Sequence, residues 1–298
     1  MGKRTYEIGL ALSGGGVRGA VHIGIINVLN KNGIYPDIIA GTSVGSLAGA
    51  LYASEVDLEQ FVEELKCIHP VTLLDPTTTA VYLLLLIYYY WINKPLIYWS
   101  FPQGLFKGNK IEKFLDVVFE KKNFNDISTP LSVISADINT GETVIFCSKK
   151  NVPRKKIKDT VFITDQSLAT AVRASISLPG VFLPKKVERH LLVDGGIKNN
   201  IPVDILKAQK TKKIIGVDLG VSENRPKVNT ILDILLATID IMGDELSHYI
   251  KKEHPAYYIY PDIQGVGYKD FDRIPEIIKY GEKVAERELP YILRYLNN

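Results

Sequence analysis

Apolar strand-like runs alternate with helix-like segments along this chain, and that alternation constrains the fold more than any other feature. "YEIGLAL" (residues 6 to 12) reads as a buried strand, and "VRGAVHIGIINVLNKNG" as the helix after it, closed by Gly33. "PDIIAG" is a second short strand, followed by the small-residue helix "VGSLAGALYAS". "LSVISADI" and "TVIFCS", joined by a turn at Thr140-Gly141, read as a hairpin. "HLLVDGG" and "KIIGVDLG" are later strands, with a helix opening at Pro202 between them. "AYYIYP" is a last strand before a C-terminal helix that contains Pro290. Strand-helix alternation of this kind predicts an α/β fold of three layers, α/β/α, with a largely parallel central sheet. No shift of composition marks a linker, so residues 1–298 are expected to form one domain.

Other segments read as helices between these units. Asp57 to Lys66 is a surface helix, and "NKIEKFLDVVFEK" is amphipathic through Ile111, Phe114, Leu115 and Val118. The stripe Ile231, Leu232, Leu235, Ile239 and Met242 marks a long helix and is expected to be core packing. The apolar run "AVYLLLLIYYYWI" (80 to 92) is too short for a spanning helix of about 20 residues. With the neighbouring "KPLIYWSFP" it concentrates Tyr88, Tyr89, Tyr90, Trp91, Tyr98 and Trp99. Amphipathic aromatics favour a membrane interface, which suggests a lid or docking surface; a buried helix or a dimer contact is the plainer expectation.

Composition removes several classes of function. The net charge of +3 is too small for a nucleic-acid binder, which concentrates basic charge on one face. The six basic residues of "SKKNVPRKKIKD" (148 to 159) read as a solvated segment that would also attract anionic lipid. Cys67 and Cys147 lack metal-ligand spacing and read as two reduced thiols. "MGKRTYEIGL" has no apolar core or cleavage site of a signal peptide, and Tyr6 breaks the myristoylation pattern. The expectation is a soluble or peripheral cytoplasmic protein.

The chemistry concentrates at the strand-helix junctions. "LSGGGVRGAVHIG" fits G-x-G-x-x-G through Gly14, Gly16 and Gly19, the pattern of a dinucleotide-binding turn. As a run of bare backbone N–H groups it equally fits an oxyanion hole. A dinucleotide fold needs an acid at the far end of the second strand, about 20 residues on. Asp37 has nearly that separation but lies at the start of the strand. A phosphate-binding Walker loop is excluded, because no Gly-Lys-Ser/Thr follows the glycines. The far end of the second strand instead carries "GTSVGS", which is G-x-S-x-G through Gly41, Ser43 and Gly45. That pattern builds a cramped turn that lifts a nucleophilic serine clear of the sheet, with a helix N-terminus behind it. Neighbouring βα turns of a parallel sheet lie side by side, which favours the oxyanion reading of the glycine loop.

A serine nucleophile needs a base. None of the five histidines, His22, His69, His190, His248 and His254, falls in a strand-end loop beside a suitable acid, so each reads as structural or solvated. Asp194 of "LLVDGG" ends an apolar strand and is the better candidate, against the plainer reading of a turn-forming Asp-Gly. Arg18 stands at the start of the first helix, the unfavourable end for a cation. A carboxylate neighbour would compensate it, or it would hold the loop or an anionic head group.

"GGGVRG", "GTSVGS", "RASISLPGVFLP" (173 to 184) and "DGGIKNNIP" together resemble the patatin-like phospholipases, in that family's order. The resemblance implies a Ser-Asp dyad without histidine: Ser43 as nucleophile, Asp194 as base, and Gly14, Gly15 and Gly16 as the oxyanion loop. It implies hydrolysis of phospholipids or other acyl-ester lipids at a membrane surface, with neither metal nor cofactor. An acyltransferase or thioesterase would use the same acyl-enzyme site. From another class, a non-catalytic lipid or nucleotide binder would use the glycine loop alone.

Overall fold

The computed structural model describes residues 5–67, 70–77, 103–220, 228–267 and 270–298. The aromatic segment of residues 80–99, and His69, lie outside the described residues.

A nine-stranded sheet organises the chain. Its strands are β1 (Tyr6–Leu12), β2 (Ile38–Thr42), β4 (Leu131–Asp137), β5 (Thr143–Cys147), β6 (Thr160–Ile163), β8 (Lys185–Val187), β9 (His190–Asp194), β10 (Thr211–Val217) and β11 (Tyr257–Ile259). The main order is β11-β10-β1-β2-β4-β5-β6, with β9 paired to β4 and β8 paired to β9. From β11 to β4 every pairing is parallel. The β4–β5 hairpin and the β9 pairings are antiparallel, so the sheet is mixed. A separate parallel pair joins β3 (Gly104–Phe106) to β7 (Gly180–Phe182).

Alternation along the strands feeds both faces. Leu10 and Leu12 of β1 and Ile39 of β2 enter one core with Ile25, Ile26 and Leu29 of α1 (Val21–Lys31) and Leu51 of α2 (Val44–Ala53). Phe61 of α3 (Leu58–Cys67), Leu115 of α4 (Asn109–Val118), Ala171 and Val172 of α5 (Leu168–Ser175) join that layer. Ala11, Ile38 and Ala40 point the other way, onto Val203 and Leu206 of α6 (Val203–Ala208) and Ile250 of α7 (Ile231–Glu253). α8 (Ile274–Asn297) returns to the first layer through Ile277, Val284 and Ala285. Because both faces are covered, β2 and β4 are buried along their whole length, as parallel strands in three layers require.

One expectation needs correction. The stripe Ile231, Leu232, Leu235, Ile239 and Met242 of α7 is not core: Ile231, Leu235 and Met242 are exposed and Leu232 and Ile239 half-buried. Ile234 and Ile241 beside them are exposed too, and the buried residues of that helix are Leu236, Gly243 and Ser247. The helix is held by a Thr230–Asp233 capping box and by contacts of its inner face, and its apolar outer face meets solvent. The Asp37 carboxylate, just before β2, accepts from the N–H groups of Glu7 and Ile8 at 3.0 and 2.9 Å and closes the start of β1. In the basic segment, Arg154, Lys155, Lys156 and Lys158 are exposed. Cys147 is buried with a free thiol, and burial pushes its pKa up to about 12. Among the described residues no helix is long and apolar enough to cross a membrane.

Candidate active site

β4 brings the two candidate residues together. On one edge β4 pairs with β5, and the other edge is shared by two strands that arrive from opposite directions. β2 runs parallel to β4 and ends with Thr42 opposite Ile134. β9 runs antiparallel and ends with Asp194 opposite Ser135, the next position along. Their C-terminal ends therefore meet head to head. Ser43, one residue past β2, donates from Oγ to Asp194 Oδ2 at 2.6 Å.

The turn at Ser43 is strained, as a nucleophile elbow needs. Ser43 has φ 53° and ψ −126°, a conformation that a non-glycine residue adopts only when its surroundings impose it. The flanking glycines allow it by close approach. A Cβ on Gly41 would lie 2.4 Å from the Gly45 carbonyl oxygen, and one on Gly45 would lie 2.3 Å from that of Leu12. Ser43 also occupies the N-cap position of α2, where a serine ordinarily turns its oxygen to the helix N–H groups. It makes no such cap, and its hydroxyl goes to Asp194 instead.

Asp194 is buried, and its second oxygen Oδ1 accepts from the Gly196 N–H at 2.8 Å. Burial raises its carboxyl from 3.8 to about 6. The Ser43 hydroxyl and the Gly196 N–H pull the other way, and the nearby Asp240 charge adds to the rise. A carboxylate at that value is ionised at neutral pH and takes a proton far more readily than an exposed one.

The glycine loop lies beside Ser43: a Cβ on Gly14 would be 3.2 Å from Ser43 Cβ. The three glycines are not equivalent. The Gly14 N–H is engaged by Asn200, donating to its carbonyl oxygen at 3.3 Å and to Oδ1 at 3.1 Å. Among the described residues no group accepts from the N–H of Gly15 or Gly16. Arg18 is mostly buried and donates from Nε to Gly15 O, and from Nη1 to Leu219 O and Gly220 O, at 3.0 to 3.4 Å. It staples the loop to the end of β10, and among the described residues no carboxylate pairs with it.

One histidine does sit beside an acid, contrary to the reading from the chain. His190 Nδ1 lies 2.7 Å from Asp137 Oδ2, both groups buried. The pair is at the far end of β9, four residues from Asp194, or about 13 Å along the strand. His22 is fully buried, lowered by burial to about 4, and donates from Nε2 to Ser13 O at 2.9 Å. Neither imidazole reaches Ser43 Oγ.

Sequence reasoning missed the supports. Asn199 accepts at its carbonyl from Thr42 Oγ1 at 2.8 Å, while Asn200 holds Gly14, so "KNN" ties both βα turns to the Asp194 loop. Ser175 accepts at Oγ from the Ser43 N–H at 2.8 Å. The signal available was position: these residues flank the Asp-Gly-Gly turn or sit within "RASISLP".

A family model described as "Patatin-like phospholipase" matches residues 10–207. "Lysophospholipase NTE1" of Candida albicans is 27% identical over 305 residues, covering 94% of this chain and 20% of that protein. Human "Patatin-like phospholipase domain-containing protein 6" is 29% identical over 231 residues, covering 76% of this chain and 14% of that one. "Patatin-like phospholipase domain-containing protein 7" of Rattus norvegicus is 30% identical over 216 residues, with 72% and 14% covered. The chain thus spans a fifth or less of the length of these curated relatives. The solved structure of VipD from Legionella pneumophila superposes with a TM-score of 0.48 at 12% identity, over 97% of this chain and 67% of that one. The matched stretch runs from β1 through α6 and contains the glycine loop, the Ser43 elbow and the Asp194 turn; the chain belongs to the patatin-like phospholipase family.

Proposed function

We propose that this protein is a serine lipid acyl hydrolase, of phospholipase A or lysophospholipase type, working through a Ser43–Asp194 dyad. The observation that carries the reading is the 2.6 Å hydrogen bond from a positive-φ Ser43 to a buried, raised-pKa Asp194. Ser43 Oγ attacks the ester carbonyl carbon as its proton passes to Asp194 Oδ2. The oxyanion is received by the unengaged N–H groups of Gly15 and Gly16, and the N-terminus of α2 adds a favourable field. Collapse of the tetrahedral intermediate breaks the ester C–O bond, and the leaving alcohol takes the proton from Asp194. Water then attacks the acyl-enzyme carbonyl with Asp194 again accepting the proton. Collapse breaks the bond from the acyl carbon to Ser43 Oγ, which takes the proton back from Asp194 as the fatty acid leaves. Gly14 serves through its missing side chain and its tie to Asn200, not as a donor.

The exposed apolar face of α7 supports a lipid-docking surface. Its inner side lies on the Asp194 loop, where a Cβ on Gly243 would be 3.3 Å from Gly196 O. Its outer side exposes Ile231, Ile234, Leu235, Ile241 and Met242. An aliphatic face on the helix that packs against the Asp194 loop suits peripheral docking on a lipid surface.

The test is labelling by a fluorophosphonate probe together with fatty-acid release from phosphatidylcholine and lysophosphatidylcholine vesicles, with and without added alcohol. Wild type should be labelled at Ser43 and should release fatty acid, and Ser43→Ala should do neither while melting like wild type. Turnover by folded Ser43→Ala close to that of wild type would refute the assignment. Acyl transfer to the added alcohol with little fatty-acid release in its absence would make the protein a transferase.

A further inference from the structure

We infer that Ser175 is a positioning residue for the nucleophile: its hydroxyl is inserted into the β2–β4 ladder and holds the strained backbone of Ser43. The inference rests on the acyl-hydrolase reading and extends it to a residue that, among the described residues, makes no hydrogen bond to the Ser43 or Asp194 side chains.

The register gives the argument. The Ile39 N–H donates to Pro130 O at 2.9 Å, and Ile39 pairs with Leu131. Bonds between parallel strands recur every second residue, so the same ladder would next use the N–H of Gly41 and then that of Ser43. The partner for Ser43 in this series is the Ile134 carbonyl. That bond is replaced. The Ser43 N–H donates to Ser175 Oγ at 2.8 Å, and Ser175 Oγ donates to Ile134 O at 2.5 Å. One hydroxyl, donor and acceptor at once, keeps both buried backbone groups satisfied while the chain leaves the strand. Direct pairing would draw Ser43 toward extended geometry. With the hydroxyl between them, Ser43 takes φ 53° and its Oγ faces Asp194.

Ser175 is itself held. It is the last residue of α5 and is fully buried, and two residues on the Ser177 carbonyl accepts from the Asp194 N–H at 3.0 Å. One turn of chain therefore contacts the backbone of both dyad members. Buried Arg173 locks that turn. Its guanidinium donates to the Ser177 hydroxyl and to the carbonyls of Gly108, Lys107 and Leu183, at 2.5 to 3.0 Å. It also lies over the Phe182 ring at 5.1 Å. Among the described residues no carboxylate hydrogen-bonds the guanidinium, whose direct bonds tie loops together while the Glu112 and Asp75 charges act on it from further away.

The test compares Ser175→Ala with Ser132→Ala in the full chain, on a soluble acyl ester and with the fluorophosphonate probe. Ser132 is an equally buried serine of β4, whose hydroxyl accepts from Gln209 Nε2 at 2.8 Å. Ser175→Ala should lower kcat by about 10²-fold, the scale of a misplaced reacting atom, with KM within about twofold. The acid limb of its pH profile should stay in place, because Asp194 keeps its surroundings. Ser132→Ala should keep kcat. A folded Ser175→Ala protein with kcat within about threefold of wild type overturns the inference, as does an equal loss in Ser132→Ala. Should Ser175→Ala fail to fold, Ser175→Cys, of similar size but with a feeble donor, must give an intermediate kcat; full kcat overturns the inference. Wild-type labelling separates the two readings. Unlabelled wild type sinks the hydrolase reading, and labelled wild type with indifferent Ser175 variants sinks this one alone.

Discussion

Replacing Asp194 by Asn should abolish most activity and make the protein more stable, and the gain should depend on pH in a defined way. Asn can keep both hydrogen bonds. Its side-chain carbonyl accepts from the Gly196 N–H, and its amide donates to Ser43 Oγ, in place of the 2.8 and 2.6 Å bonds that Asp194 makes. What disappears is the buried charge. The folded state raises the Asp194 carboxyl from 3.8 to about 6, a difference of about 2 units. At about 1.36 kcal/mol per unit, ionised Asp194 costs the fold on the order of 3 kcal/mol. The native state binds this proton more tightly than the unfolded chain does. Its stabilising contribution is therefore full below pH 3.8 and is lost as pH rises through about 6.

The difference in melting temperature between Asp194→Asn and wild type should thus be near zero at pH 4, grow through pH 5 and 6, and level off above pH 7. At about 2.1 cal/mol/K per residue, a chain of 298 residues has an unfolding entropy of about 0.6 kcal/mol/K, so the plateau is about 5 °C. Thermal melts of both proteins across this range, read by circular dichroism, measure it. Turnover of a soluble ester by the variant should fall by about 10²- to 10⁴-fold, the contribution of a positioned general base. A difference that is flat with pH, or a variant less stable than wild type at pH 8, would refute the account of Asp194 as a strained, buried base.

Three further outcomes follow from the same geometry. The acid limb of the kcat/KM profile should lie near pH 6, and Asp240→Asn should move it lower by removing a like charge; an unmoved limb would mean that this charge does not reach Asp194. Gly45→Ala should destabilise by about 3 kcal/mol or more, because its Cβ meets the Leu12 backbone, whereas Gly141→Ala, with φ 73° and open space, should cost only about 1 kcal/mol; similar melting temperatures for the two would refute the close-approach argument. Replacing exposed Ile234 and Ile241 together by Ser should weaken liposome binding and vesicle hydrolysis while sparing a soluble ester, since each aliphatic side chain moved into lipid contributes about 1.5–3 kcal/mol at full burial; undiminished vesicle hydrolysis would remove α7 as the docking face.

β1 and β2 were legible because parallel strands buried on both faces read as apolar runs, and the elbow because a cramped turn leaves room only for glycine at Gly41 and Gly45. α5 was not, since eight residues give too few repeats for a helical period to show, and the roles of Arg173 and Ser175, inside the quoted "RASISLPGVFLP", were hidden with it. The α7 stripe was legible as a shared face, but periodicity says which residues lie together and not what covers them. His190 was judged by its place in the chain, and its partner Asp137 comes from a strand more than fifty residues away.

The direction of β9 was the largest omission, because a strand pattern reads the same both ways. Yet direction assembles the site. Were β9 parallel to β4, Asp194 would leave the sheet pointing away from β2. Antiparallel pairing with β4 brings the end of β9 to Ser135 just where β2 has stopped at Ile134. Consecutive residues of one strand thus set the separation of Ser43 and Asp194, the proposed dyad. A slip of one residue in the β4–β9 register would turn Asp194 to the opposite face of the sheet and leave Ser43 without a partner. The fully buried β4, and the Ser177 carbonyl on the Asp194 N–H, oppose that slip. The chemistry of this site is in that sense a property of strand register before it is a property of the two side chains.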